Sequence, residues 1–289
     1  MAIAKRHLRQ NRVISPKNVE DSYRLGRYDF EDFMNAPICF LQDGTLTEPA
    51  GTILIPISVN TGRYTYEFVT VNLDTMVSAG FVPLLRTAGG YDFVMTSDVV
   101  GAGTEVSFGG ATRAGHPRNF IPRVTGGGGE DWFRRVLVLF SNVSGVDVTF
   151  GFRKVGAQVA SLTEIIDVVG FRILGDSSSA LAPITIVYNQ NNEGTTDYTS
   201  ATVGTNLTDA QVIELEVRSV GGYWQFFING VRVNTELSIQ ADLDDEFVPI
   251  FRSILTTDAA SSVAVLCTEG GPLSARSNEL LSALAGTVA

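Results

Sequence analysis

The stretch ELEVRSVGGYWQFFINGVRV, residues 214–233, decides the fold predicted for this chain. Charged and apolar side chains alternate up to Arg218, which is the pattern of a strand with one solvated and one buried face. Gly221–Gly222 and Asn229–Gly230 then interrupt the pattern, and such sequences make tight turns because glycine and asparagine adopt positive φ at little cost. The stretch therefore predicts consecutive antiparallel strands joined by short turns.

The same pattern of short β-type runs bounded by turn residues extends over most of the chain. The predicted strands cover 52–59, 64–73, 81–86, 91–95, 135–140, 146–155, 168–174, 183–189, 212–220, 223–230 and 261–267. Short helical turns are predicted only at 206–211 and 278–285. Many short strands with few helices indicate an all-β, antiparallel jelly-roll sandwich. We predict a basic and aromatic arm at 1–34, the sandwich at 35–270 and a short tail at 271–289.

The composition favours a protein partner over nucleic acid. The chain has 289 residues, of which 44% are hydrophobic and 18% charged, and its formal net charge is −10. Binding of phosphates needs clustered lysine and arginine, so an acidic body disfavours nucleic acid. The basic residues of the arm are the exception, and we expect them to contact an acidic surface of a partner. They are Lys5, Arg6, Arg9, Arg12 and Lys17.

The two cysteines and the N-terminus are typical of a protein folded in a cytoplasm-like compartment. Cys39 and Cys267 lie in apolar stretches, so we expect buried, reduced thiols. The charged start has no apolar segment behind it, and no run approaches the ~18 apolar residues that span a bilayer. We therefore expect neither a signal peptide nor a membrane contact.

Histidine is too scarce for most catalytic and metal sites. His7 lies in the arm and His116 in the loop AGHPRNF, and neither a paired-cysteine nor a paired-histidine zinc motif occurs. A G-x-S-x-G nucleophile elbow is also absent from the sequence. We expect His116 to be structural, and we predict no cofactor, no metal and no catalytic residue.

Two sets of carboxylates leave alternatives open. Glycoside hydrolysis needs two carboxylates that flank the scissile bond. Glu164 and Asp167 would point to opposite faces of a strand, whereas Glu214 and Glu216 share a face, which we expect to be solvated. The acidic loop 242–246 could bind calcium, although an acidic turn is the expectation.

Aromatic residues concentrate in the strand that follows the Gly-Gly turn. Tyr223 and Phe227 alternate with Trp224 and Phe226, so at least one of the two sets faces the core. A sugar-binding surface would need a ring exposed beside polar groups. Core packing is the expectation for this strand.

The stretch 214–233 resembles the hairpin of concanavalin A-like and laminin G-like sandwiches, in which an Asn-Gly turn follows a strand of the back sheet. The segment FVPIFRSILTTDAASSVAVLCTEG (247–270) is similar to the closing strands of that fold. With its basic arm and without a recognisable active site, the chain resembles virion structural proteins of tailed bacteriophages, namely capsid decoration or cement proteins and head-fibre proteins.

This resemblance implies a non-enzymatic protein of the virion, made in the host cytoplasm. Its partners would be the major capsid protein or another virion protein, and copies of itself in a dimer or trimer. The alternative is a carbohydrate-binding, receptor-binding module of a phage tail or fibre. A third hypothesis is a glycanase that uses Glu164, Glu214 or Glu216.

Overall fold

The computed structural model describes residues 27, 29–31, 38–39, 54–60, 65–71, 81–85, 91–95, 103–123, 128–157, 165, 167–175, 181–189, 199–235, 238–241, 244–256 and 261–273. Eighteen strands lie in these ranges. In chain order they are β1 (Asp29–Glu31), β2 (Ile38–Cys39), β3 (Leu54–Asn60), β4 (Thr65–Val71), β5 (Phe81–Leu85), β6 (Tyr91–Met95), β7 (Gly103–Ser107), β8 (Trp132–Phe140), β9 (Val146–Lys154), β10 (Val168–Leu174), β11 (Leu181–Asn189), β12 (Thr199–Thr208), β13 (Gln211–Val220), β14 (Tyr223–Ile228), β15 (Val231–Arg232), β16 (Ile239–Gln240), β17 (Phe247–Leu255) and β18 (Ser261–Pro272). Within these same ranges there is no helix with the length and hydropathy of a membrane span.

The strands form two antiparallel sheets. Sheet A has the order β15-β14-β13-β8-β18-β6-β5, with β1 paired to β18 and β16 paired to β14. Sheet B has the order β12-β11-β10-β9-β17-β7-β4-β3-β2. The structure thus confirms the predicted all-β, antiparallel sandwich.

Apolar side chains from the inner faces of both sheets make one core. Trp224 of sheet A stacks on Phe152 of sheet B, with ring centroids 5.3 Å apart, and Phe120 stacks on Trp132 at the same distance. Phe247 also packs in this group, with an edge-to-face contact to Trp224. Because truncation of such a buried ring costs about 3–5 kcal/mol, this aromatic cluster fixes how the two sheets pack.

The hairpin that decided the predicted fold has the expected turn. Asn229 and Gly230 have φ values of 48° and 76°, as the Asn-Gly sequence predicts. The Asn229 side chain also binds β13, because the Glu214 N–H donates to its Oδ1 at 3.0 Å. The local sequence therefore determines both the turn and the register of β13 with β14.

Residues 206–211 differ from the prediction of a helical turn. They contain the end of β12, a two-residue turn at Asp209–Ala210 and the start of β13. Ala210 has a φ of 59°, which a helix does not allow. The sheet ladders on both sides of this turn override the local helix signal. The helix predicted at 278–285 lies outside the described residues.

Candidate functional site

A row of charged side chains crosses the outer face of sheet A. Glu216, Arg135 and Glu269 lie directly opposite one another on β13, β8 and β18. Arg135 Nε donates to Glu269 Oε2 at 2.7 Å, and its Nη2 donates to the same oxygen. All three side chains are buried, with relative exposures of 0–2%.

Two further charges complete this sheet A cluster, which consists of Arg135, Glu214, Glu216, Arg218 and Glu269. Arg218 donates two hydrogen bonds to the Glu216 carboxylate, one from Nε at 2.5 Å and one from Nη2 at 3.1 Å. Its guanidinium also lies 3.8 Å from the ring centroid of Phe227. Glu214 is 7% exposed on the same face. Three carboxylates therefore share the cluster with two guanidinium groups.

Electrostatics in the sheet A cluster stabilise the charged form of Arg135. Burial alone would lower the pKa of Arg135, but the carboxylates of Glu269, Glu216 and Glu214 outweigh it, and the pKa is raised. A general acid or base has to face the substrate. In this cluster both Glu216 and Glu269 are buried and bound by arginines.

The expectation of a solvated face on β13 was wrong. Glu214 and Glu216 share a face with Arg218, as predicted, but both carboxylates are buried. The alternation correctly predicted which residues share a face. It could not show that this second face is buried as well. Glu214 and Glu216 are structural partners of arginines in this arrangement.

Sheet B carries a second buried group of charges on its outer face. Glu105 accepts from Arg153 Nε at 3.0 Å and lies 3.6 Å from Arg252 Nη1. Burial lowers the pKa of Arg252, and the neighbouring Arg153 adds to this effect against the opposing carboxylates of Glu105 and Asp147. Glu105 thus lies between two buried arginines, and Asp147 acts on Arg252 as a second carboxylate.

The C-terminal end of the predicted arm is bound to the sandwich. We call residues 27–31 the strap, because β1 adds to the edge of β18. Asp29 accepts from Arg134 Nη1 at 2.5 Å and lies 3.8 Å from Arg118 Nη1. Asp29 and Arg134 are each 1% exposed, so this is a buried ion pair.

Contacts on both sides of Asp29 extend this attachment. Arg27 makes a two-pronged ion pair with Glu130, and its guanidinium lies 5.2 Å from the ring centroid of Trp132. Phe30 is 6% exposed and belongs to a small apolar cluster with Phe133, Leu137 and Cys267. The strap therefore combines backbone pairing, ion pairs and an apolar anchor.

Several residues considered from the sequence have structural roles. His116 Nδ1 accepts from the Arg118 N–H at 3.2 Å, and the His116 carbonyl accepts from the Asn119 N–H at 2.9 Å. Glu246 accepts from the Gly115 N–H at 2.8 Å. These bonds support the predicted structural use of His116 in an ordered loop. The Cys267 side chain is buried, as predicted.

Two of the carboxylates considered for hydrolysis and for calcium, Asp167 and Asp245, both lie near Lys154. Lys154 Nζ lies 2.6 Å from Asp245 and 3.7 Å from Asp167, and Asp167 is 1% exposed. The described residues contain no group of three potential ligands that could hold a metal ion. Glu164, Asp242 and the side chain of Cys39 lie outside the described residues. So do the basic arm residues Lys5, Arg6, Arg9, Arg12 and Lys17.

The aromatic strand β14 is divided between core and surface. Trp224 and Phe226 are in the core, which confirms core packing for one face. Tyr223 is 46% exposed on the other face, where Gln225 and Phe227 are half-buried. Tyr223 is therefore an exposed aromatic residue on the face that also carries Gln225 and Arg218.

Comparisons with known proteins find similarity in fold alone. No protein-family model matches the chain, and no curated protein matches its sequence. Similar solved structures are concanavalin A-like jelly rolls, the fold predicted from the hairpin. They include an alginate lyase from Klebsiella pneumoniae with 9% identity, a TM-score of 0.49, and coverage of 89% of this chain and 99% of that chain.

Two others carry different descriptions. An immunostimulatory antigen and pseudo β-1,3-glucanase of Mycobacterium tuberculosis has 12% identity and a TM-score of 0.45, with coverage of 86% of this chain and 99% of that one. The carbohydrate recognition domain of Emp47p has 8% identity and a TM-score of 0.45, with coverage of 67% and 86%. Identities of 8–12% and TM-scores below 0.5 show a similar fold and give no information about activity.

Proposed function

We propose that this chain is a non-enzymatic structural protein that binds a larger assembly through its N-terminal arm. In its finer form, the proposal is a capsid decoration or cement protein of a tailed bacteriophage, bound to the major capsid protein or another virion protein. The observation that carries the proposal is the strap, which fastens the root of the arm to the sandwich through the buried Asp29–Arg134 pair.

The strap gives the arm a firm attachment. Separating Asp29 from Arg134 would leave an unpaired buried charge, which typically costs about 3–5 kcal/mol. A load on residues 1–26 would therefore be transmitted to β8 and β18 in the middle of sheet A. The five basic residues at 5–17 supply the charge for an acidic partner surface.

The sheet A cluster supports the non-enzymatic part of the proposal. Its two central carboxylates, Glu216 and Glu269, are buried and bound by guanidinium groups. Hydrolysis of a glycosidic bond needs one carboxyl group as a proton donor and another as nucleophile or base. Paired and buried carboxylates serve packing and charge balance on this face.

The test is co-sedimentation of the full chain with intact phage capsids. Reversal of Arg6, Arg9 and Arg12 to Glu should abolish binding. The matched control reverses three arginines of the described sandwich surface, Arg113, Arg123 and Arg232, and should leave binding intact. Deletion of residues 1–34 is a poor alternative, because it also removes the strap. Equal binding by both triple variants would refute the arm as the docking element.

A second candidate function is carbohydrate binding by the exposed face of β14. It is favoured by Tyr223, whose ring is 46% exposed beside Gln225. On a glycan array, Tyr223→Ala should lose any binding that the full chain shows. Leu181→Ala removes an equally exposed side chain from sheet B and serves as the control. Binding that persists in Tyr223→Ala would exclude this face as the sugar site.

A further inference from the structure

The four ends of the two sheets differ in how well they are protected against pairing with another strand. In the described strand order, sheet A ends at β15 and β5, and sheet B ends at β2 and β12. β15 and β2 have two residues each, and β5 contains Pro83. Short strands and proline are devices that prevent edge-to-edge association. β12 has ten residues and contains neither proline nor a charged side chain.

Charge makes this edge a favourable place for contact between copies. The chain carries a formal net charge of −10, so two copies repel one another in most orientations. Contact along the uncharged sequence TSATVGTNLT brings no charged side chain of β12 against its copy. Leu174 and Leu181, on the neighbouring strands β10 and β11, add exposed apolar surface of 41% and 47%.

A bulge divides β12 without removing its edge. The register with β11 shifts between Pro183 and Thr185, and Gly204 has a φ of 74° at this point. Regular pairing continues on both sides, at 199–202 and 206–208. Both stretches keep one side of their backbone directed away from β11, where a further strand can bind.

We propose that β12 pairs with β12 of a second copy across a two-fold axis and joins two copies of sheet B into one continuous antiparallel sheet. A strand that meets its own copy across such an axis runs antiparallel to it, and the contact is closed because both copies use the same surface. The inference rests on the self-association that is part of the proposed function.

The test is sedimentation equilibrium of the full chain over a wide range of concentrations. The wild type should dimerise reversibly. The variant Thr202→Lys/Asn206→Lys adds two cations to β12, which would face the same charges of the second copy, and should raise the dimer dissociation constant by at least about tenfold. The control Val231→Lys/Thr235→Lys has the same net charge at the β15 end and should dimerise as the wild type does. A monomeric wild type, or equal dimerisation of both variants, overturns the inference.

Amide hydrogen exchange provides a second measurement that needs no substitution. In the wild type, backbone amides of 199–208 should become protected as the concentration rises, whereas those of β15 should not change. Protection that does not depend on concentration refutes the dimer.

Capsid binding separates this inference from the proposed function. A monomeric chain that still sediments with capsids overturns the β12 contact alone, and a β12 dimer that ignores capsids overturns the proposed function alone.

Discussion

Asp29→Asn should destabilise the protein more than any other single change in the strap. The substitution keeps the size of the side chain and removes its charge. Arg134, which is 1% exposed, then loses the carboxylate to which its Nη1 donates, while the aromatic ring of Phe108 remains 3.8 Å from its guanidinium. Arg118 also loses a carboxylate 3.8 Å away.

The expected magnitude follows from burial. Removing one partner of a buried ion pair costs about 3–5 kcal/mol, because the remaining charge is not solvated. The amide of asparagine still accepts a hydrogen bond, so we expect about 3 kcal/mol. Most domains have about 5–15 kcal/mol of stability, and the loss should be large in equilibrium unfolding by urea.

The neighbouring ion pair is the matched control. Arg27 and Glu130 are 26% and 37% exposed, so Arg27→Gln should cost about 0–1 kcal/mol. Asp29→Leu combined with Arg134→Met should recover much of the loss, because apolar residues of similar size replace a buried pair at little cost. An Asp29→Asn variant no less stable than Arg27→Gln would refute the stabilising role of the buried Asp29–Arg134 ion pair.

Three further predictions concern other parts of the sandwich. Arg135→Met should cost about 3–5 kcal/mol in urea unfolding, because it leaves a carboxylate cluster short of positive charge, whereas Arg252→Met should cost less, because Arg153 remains hydrogen-bonded to Glu105. Gly270→Ala should lower the melting temperature, since a Cβ there would lie 2.6 Å from Arg134 Cδ, and overpacking typically costs about 1–3 kcal/mol. Addition of a chelator should leave the melting temperature unchanged, and a marked decrease would indicate a bound metal ion.

The strands with apolar alternation were predicted closely from the sequence. β9, β13 and β14 begin within one residue of their predicted positions. β12 was missed because TSATVGTNLT lacks apolar alternation and has a glycine at its centre. β7 (GTEVS) was missed for the same reason, since only one of its residues is a large apolar one. Both strands are stabilised by pairing with long neighbouring strands, and a local sequence pattern cannot predict such pairing.

The charged pairs were harder to predict than the strands, and the reason is geometric. Consecutive Arg134 and Arg135 in the apolar strand WFRRVLVLF point to opposite faces of β8. Each needs its own carboxylate, and Asp29 and Glu269 supply them from positions 105 and 134 residues away. The sequence does predict that at least one of these arginines needs a carboxylate partner, because two adjacent arginines in such a strand cannot both remain solvated. The carboxylates that accept from them could not be identified from the sequence, because β1 and β18 come close to these arginines only after the sheet has formed. It follows that the strap belongs to the folded sandwich.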